Sequence, residues 1–197
     1  MVLHCAKGII QVIKHINKNR ALLLVIDMQE KLMPVVLNSM KIIGQAERAA
    51  AVFQALDLPV MVTEQYPKGL GATVDRLQPF LSRCKLFEKM SFSCCGEESF
   101  NRTLDDLERT DIVIAGVEAH VCVLQTALDL ADKGYNPYIM ADAVSSQREM
   151  DMDMALKRAE RSGVVLTTVE SALFEIIRTA GSKEFKAYRS ALARLVP

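Results

Sequence analysis

Apolar residues fall along the chain in short unbroken runs, separated by longer stretches with helical spacing. Ala21 to Ile26 is a continuous run of leucine and β-branched residues ending on Asp27, as expected of a strand buried on both faces. Val60 to Thr63 reads as a second strand, and Lys85 to Lys89 as a more polar one suited to a sheet edge. Asp111 to Gly116 is the cleanest buried strand, followed by Tyr138 to Ala141 and Val164 to Thr167. Helical periodicity covers Ala46 to Leu56, an amphipathic stretch ending near Leu81, Glu98 to Leu107, and Ala119 to Lys133 closed by Gly134. It returns in Met150 to Arg161, Ser171 to Thr179 and Ser182 to Leu195. Strands alternating with helices at this spacing predict βαβ units with right-handed crossovers. The expected fold is α/β, a three-layer, doubly wound, six-stranded parallel sheet with helices on both faces.

The chain has 197 residues, half of them hydrophobic, which is enough for one well-buried core and too little for two comfortable domains. Residues 21–197 are expected to form that domain. Residues 1–20 form a basic arm with Lys7, Lys14, Lys18 and Arg20 and no acid. Lys7, Gln11, Lys14, His15 and Lys18 share one face of a helical wheel, and Ile9, Val12, Ile13 and Ile16 share the other. A helix packed on the domain and an organelle presequence both fit this pattern, although the poverty in Arg and Ser argues against the presequence.

Lys plus Arg and Asp plus Glu are both 24, and the basic residues form no long stripe. A small-molecule substrate is therefore expected, with no nucleic-acid partner. No apolar run approaches the roughly 18 to 20 residues of a membrane span, so no membrane partner is expected either. Cysteines stand at 5, 84, 94, 95 and 122, an odd number with no CxxC pair. Reduced thiols in the cytoplasm are the simplest reading, without a metal or a cofactor.

In sheets of this kind ligands bind beyond the carboxyl ends of the strands, where the winding order reverses. Three reactive side chains stand there: Asp27 after the first strand, Lys89 at the end of the third, and Cys122 one turn beyond the fourth. With the helix starting near Ala119, the free N–H groups of its first turn would stabilise a Cys122 thiolate and receive a developing oxyanion. A cysteine nucleophile needs a proton acceptor. His4 and His15 lie on the arm, and His120 is two residues from Cys122, so the two point to different sides of a helix. A carboxylate, Asp27, is the remaining base, with Lys89 as its charged partner. Each has a bland alternative: a cysteine is usually a buried apolar residue, an Asp after a strand often caps a turn, and an edge Lys is usually solvated.

The segments Leu24-Val25-Ile26-Asp27-Met28-Gln29, Phe87-Glu88-Lys89-Met90-Ser91-Phe92-Ser93 and Ala115-Gly116-Val117-Glu118-Ala119-His120-Val121-Cys122-Val123 together resemble the isochorismatase-like cysteine hydrolases. That superfamily also holds nicotinamidases and N-carbamoylsarcosine amidohydrolases, and the resemblance runs from about residue 20 to 180. It implies a Rossmann-like six-stranded sheet and a Cys122–Asp27–Lys89 triad acting through an acyl thioester. It further implies a cis peptide between Val117 and Glu118, an oxyanion hole from the backbone N–H groups of Glu118 and Cys122, and an architectural Asp142. Where nicotinamidases hold a metal with Asp and His after strand two, this chain reads Thr63-Glu64-Gln65-Tyr66-Pro67-Lys68-Gly69-Leu70-Gly71, with no histidine. With Ala119-His120, this loop is similar to the isochorismatase domain-containing subgroup. An intact Cys122 argues against the vinyl-ether cleavage of isochorismatases proper.

The expected function is hydrolysis of a small carboxamide-type C–N bond, with Gln29, Tyr66 and Phe92 as candidate pocket residues and homo-oligomerisation following the family habit. A non-catalytic interaction protein of the same fold is one alternative. A thiol redox sensor pairing Cys122 with Cys94 or Cys95 is the other.

Overall fold

The computed structural model describes residues 15–81 and 83–195. Six strands form one parallel sheet: β1 (Ala21–Ile26), β2 (Val60–Gln65), β3 (Lys85–Lys89), β4 (Asp111–Val117), β5 (Asn136–Ser145) and β6 (Val165–Thr167). The helices are α1 (Ser39–Ala55), α2 (Pro67–Leu70), α3 (Gln78–Leu81), α4 (Glu98–Asp106), α5 (Leu124–Asp132), α6 (Glu149–Arg161), α7 (Val169–Ile177) and α8 (Lys183–Ala193). The strand order is β3-β2-β1-β4-β5-β6, so the winding reverses between β1 and β4, and β3 is an edge as its polarity predicts.

Alternation along each strand divides the core into two layers. Leu23 and Val25 of β1, Val60 and Val62 of β2 and Val113 and Ala115 of β4 pack against α1, α7 and α8. Leu22, Leu24 and Ile26, with Met61, Ile112 and Ile114, pack on the opposite face against α4, α5 and α6. Apolar burial on both faces is why these strands read as unbroken runs rather than alternating ones.

The two central strands approach closely at the reversal point. Gly116 has φ +134°, and a Cβ built there would stand 2.1 Å from the Ile26 carbonyl oxygen. Only glycine lets β4 pass so near the end of β1, and that approach brings the residues after both strands together. A second irregularity lengthens β5: the pairing jumps from Ile114 opposite Ile139 to Gly116 opposite Val144. The intervening excursion carries Asp142, which accepts hydrogen bonds from Val169 N at the start of α7 (2.8 Å) and from Gln45 Nε2 (2.8 Å).

The helix expected over the basic arm lies outside the described residues before position 15. Residues 15–20 are irregular and end in a turn packed on the body. Ile16 is fully buried, and its N–H reaches Glu175 Oε2 at 2.9 Å. The buried Asp111 accepts from Asn17 N (2.9 Å) and Asn136 Nδ2 (3.0 Å) and pairs with Arg20 Nη2 at 3.1 Å, tying this segment to β4 and β5. The amphipathic stretch that ends near Leu81 is helical only over α3, because residues 72–77 form a bend, a bridge from Thr73 to Gln29 and a turn; α2 lies in the turn-rich loop before it.

Gly116→Ala is expected to lower stability by about 3 kcal/mol or more, since the new Cβ meets backbone in a conformation that L side chains rarely adopt. Urea unfolding measures this, and a variant within about 0.5 kcal/mol of wild type would contradict the close-approach account.

Candidate functional site

The ends of β1, β3 and β4 bring Asp27, Lys89 and Cys122 into one buried cluster. Asp27 leaves β1 with φ 52°, in the left-handed region that Asp tolerates better than most residues. Its carboxylate is fully buried. Oδ2 stands 2.7 Å from Lys89 Nζ, whose side chain is 1% exposed, so both charges are withdrawn from water and depend on each other. Burial works against the Lys89 ammonium, but the neighbouring Asp27 and Cys122 more than offset it, and the group is held above the usual lysine range.

β2 lies between the strands that carry this pair. Its register aligns Thr63 with Ile26 and Gln65 with Lys89. Thr63 Oγ1 donates to Asp27 Oδ1 at 2.7 Å, and Lys89 Nζ donates to Gln65 Oε1 at 2.7 Å. The ammonium also donates to the Ser91 and Phe92 carbonyls at 3.2 and 3.1 Å. Glu97 Oε1 shapes that loop by accepting from Ser91 Oγ at 2.6 Å, and this bond holds the Glu97 carboxyl below its usual range. Asp27 Oδ2 differs from the other oxygens of the cluster. Lys89 lies within ion-pair distance, yet no donor is aligned on Oδ2 as a hydrogen bond.

Cys122 sits in a π-type turn, Ala119–Val123, that joins β4 to α5. The helix thus starts at Ala119 as expected, its first turn is of π type and runs without a break into α5, and Cys122 lies in that first turn. The thiol is 6% exposed and interacts with both Asp27 and Lys89. Burial, with the adjacent Asp27 carboxylate, pushes it up to about 12, while Lys89 pulls the other way. This corrects the expectation of a thiolate favoured by a helix start: the carboxylate and the dry surroundings outweigh the ammonium, and the resting group is a neutral thiol. The Val117–Glu118 peptide is cis, as the resemblance implies.

His120 is turned away from the sulfur, its Nδ1 2.9 Å from Ser146 Oγ. Gln29 does not line a pocket, contrary to expectation. It is fully buried, and its amide is committed to main chain, donating to the Gln65 and Gly71 carbonyls at 3.0 and 2.7 Å while its Oε1 accepts from Gln65 N at 2.8 Å. Tyr66 is half-exposed and, with Pro67, Lys68, Glu88, Lys89, Met90 and Glu97, lines a cleft of about 270 Å³ that meets the cluster through Lys89. The Phe92 ring is exposed and stands outside that lining; its contribution is the carbonyl held by Lys89.

Cys94 is fully buried with Sγ 3.9 Å from Thr63 Oγ1, and burial beside Asp27 pushes it to about 12. Cys95 instead faces Asp129 and Lys133. Thr63 and Gln65 were not legible as site residues in the sequence. The available signal was the polar end of an otherwise apolar strand, Thr63-Glu64-Gln65, in which Thr63 and Gln65 are two apart and so share one face.

A parallel sheet whose reversal point carries an ion-paired aspartate and a neutral cysteine defines a thiol-bearing α/β hydrolase fold. The family model of the isochorismatase domain matches residues 21–171, and the chain belongs to that family. Among its relatives, isochorismatase domain-containing protein 2 of Rattus norvegicus is 39% identical over 178 residues, spanning 90% of this chain and 83% of that one. The secreted isochorismatase effector Isc1 of Phytophthora sojae is 37% identical over 85% of this chain and 81% of its own. The structure described as MAR1 ribonuclease from Caenorhabditis elegans superposes with a TM-score of 0.86 at 35% identity, covering 93% of this chain and 95% of that one.

Two expected outcomes follow from the buried charges and thiols. Lys89→Met should cost about 3 kcal/mol or more by stranding the Asp27 charge, and Asp27→Asn in the same chain should recover much of it. Equal losses in the single and double variants on denaturant unfolding would contradict mutual dependence. Ordinary thiols ionise near 9, whereas folding raises Cys84 and Cys95 to about 11 and Cys94 and Cys122 to about 12. The unfolded chain then binds fewer protons than the folded one between these values, so their contribution to stability is complete below pH 9 and is lost as pH rises toward 12. Cys122→Ala should flatten that alkaline fall; an unchanged slope would show that its thiol is not raised.

Proposed function

We propose that this chain is a cysteine hydrolase of a small carboxamide-type C–N bond, with Cys122 as nucleophile, Asp27 as base and Lys89 as electrostatic partner. The observation that carries this reading is the burial of Cys122 in contact with the Asp27 carboxylate, whose Oδ2 is 2.7 Å from Lys89 Nζ. A thiol raised to about 12 is nucleophilic near neutrality only if its proton leaves as it attacks, and Asp27 is the acceptor in contact with it.

In the acylation step the Cys122 S–H proton passes to Asp27 as the sulfur bonds to the carbonyl carbon. The carbonyl oxygen takes up negative charge between the Glu118 and Cys122 backbone N–H groups. The C–N bond then breaks, the nitrogen leaves with the proton held by Asp27, and an acyl thioester remains. Water attacks this thioester, giving its proton to Asp27; the C–S bond breaks, the acid is released and the thiol regains its proton. Lys89 keeps a positive charge beside both the carboxylate and the transient thiolate. Tyr66 and the cleft it lines are the proposed approach for the substrate. Self-association belongs to the same reading, with exposed Met150 and Met154 of α6 and Phe174 of α7 as apolar surface, as does a cytoplasmic setting. Among the described residues no helix is long and apolar enough to cross a membrane.

The similarity to a Caenorhabditis elegans protein described as a ribonuclease makes RNA cleavage the second reading. Equal numbers of basic and acidic residues and a nucleophile only 6% exposed favour a small uncharged substrate over a polyanion.

A panel of small amides, esters and single-stranded RNA, assayed with wild type and Cys122→Ala, separates these readings. Amide turnover that falls at least ~1000-fold in Cys122→Ala, with an acyl adduct on Cys122 in the quenched wild-type enzyme, is the expected result. RNA cleavage surviving in Cys122→Ala, or amide turnover independent of Cys122, would overturn the proposal.

A further inference from the structure

Building on the proposed thiol chemistry, we infer that Thr63 and Gln65 are the positioning residues of the cluster, one for each member of the Asp27–Lys89 pair. They are two apart on β2 and so present their side chains to the same face. Each spends its hydrogen bond on a different charge: the Thr63 hydroxyl on Asp27 Oδ1 at 2.7 Å, the Gln65 carbonyl oxygen on Lys89 Nζ at 2.7 Å.

Thr63 is fully buried and Gln65 is 8% exposed, so neither bond competes with bulk water. By occupying Oδ1, Thr63 fixes the carboxylate plane and leaves Oδ2, which stands 2.7 Å from Lys89 Nζ, as the oxygen that would take the thiol proton. Gln65 is itself immobilised. Its Nε2 donates to the Met90 carbonyl at 2.9 Å, its N–H donates to Gln29 Oε1 at 2.8 Å, and its carbonyl accepts from Gln29 Nε2 at 3.0 Å. A rigid amide therefore sets where the ammonium stands. This also gives buried Gln29 a purpose: it braces Gln65 rather than touching substrate.

The role predicts a change in how Cys122 reactivity depends on pH, which a merely structural role would not produce. A thiol whose proton is removed by a well-placed carboxylate reacts at a rate nearly independent of pH around neutrality. When that assistance is lost, only pre-ionised thiolate reacts, and the rate rises in proportion to hydroxide.

The test is alkylation of Cys122 by iodoacetamide from pH 6 to 9, followed on the Cys122 peptide by mass spectrometry, in wild type, Asp27→Asn, Thr63→Val, Thr63→Ser and Gln65→Leu. Thermal melting of each chain reports folding. Wild type is expected to show a plateau that Asp27→Asn abolishes. Thr63→Val, nearly isosteric, should lower the rate at pH 7 by roughly tenfold, the equivalent of one charge-assisted hydrogen bond, and convert the plateau to a hydroxide-dependent rise. Thr63→Ser should restore the plateau, and Gln65→Leu should behave like Thr63→Val. Folded Thr63→Val and Gln65→Leu that keep the wild-type profile would overturn the positioning role while leaving Cys122 activation intact. A wild-type profile identical to that of Asp27→Asn would overturn the proposed thiol chemistry and this inference with it. Should Gln65→Leu fail to melt cooperatively, the Thr63→Val and Thr63→Ser pair decides the matter.

Discussion

A carboxylate and an ammonium with almost no access to water stand 2.7 Å apart where the sheet reverses its winding, and the local architecture answers to that contact. Neither charge is stable alone in such surroundings, so the strands that carry them must hold register. β2 provides it, standing between β1 and β3 and placing Thr63 and Gln65 opposite the two charged groups. The loop after β3 bends back so that two of its carbonyls finish the ammonium's coordination. On the other side of β1, Gly116 admits β4 closely enough for the following turn to set Cys122 against the pair.

The chemistry follows from the balance of these fields. The ammonium lowers the cost of a thiolate, but burial and the carboxylate raise it further, and the sulfur keeps its proton. Such a site avoids a standing thiolate, which oxidants and electrophiles would consume; in the proposed mechanism one forms only when Asp27 takes the proton. Cys94, buried near the same carboxylate, is held neutral by the same forces without a proposed role.

The sequence made some of this legible and hid the rest for identifiable reasons. β1 and β4 were readable because both faces of each are buried, leaving uninterrupted apolar runs that stop abruptly at Asp27 and just past Gly116. Asp27, Lys89 and Cys122 could be located because each stands at or just after a strand end, and the motifs around them carry the family resemblance that the isochorismatase match bears out as a family assignment. The π-type turn was not readable, since Ala119 to Lys133 has helical periodicity throughout and nothing in its composition marks the first five residues as different. The direction of the thiol's shift was hidden for a different reason: burial and the Asp27 carboxylate set it, and neither shows in the local sequence. Gln29, in the motif that carries Asp27, was expected in the pocket. Its actual partners, Gln65 and Gly71, are 36 and 42 residues away, and only the tertiary structure reveals them.

The central claim is that Cys122 rests as a neutral thiol beside an Asp27–Lys89 ion pair. Nuclear magnetic resonance of protein labelled with ¹³C at cysteine Cβ, with Cys122 assigned by its loss in Cys122→Ala, measures its protonation directly across a pH titration. The account predicts a thiol chemical shift through neutrality and beyond pH 9, with the transition approaching 12. A Cys122 signal already at the thiolate position at pH 7 would contradict it.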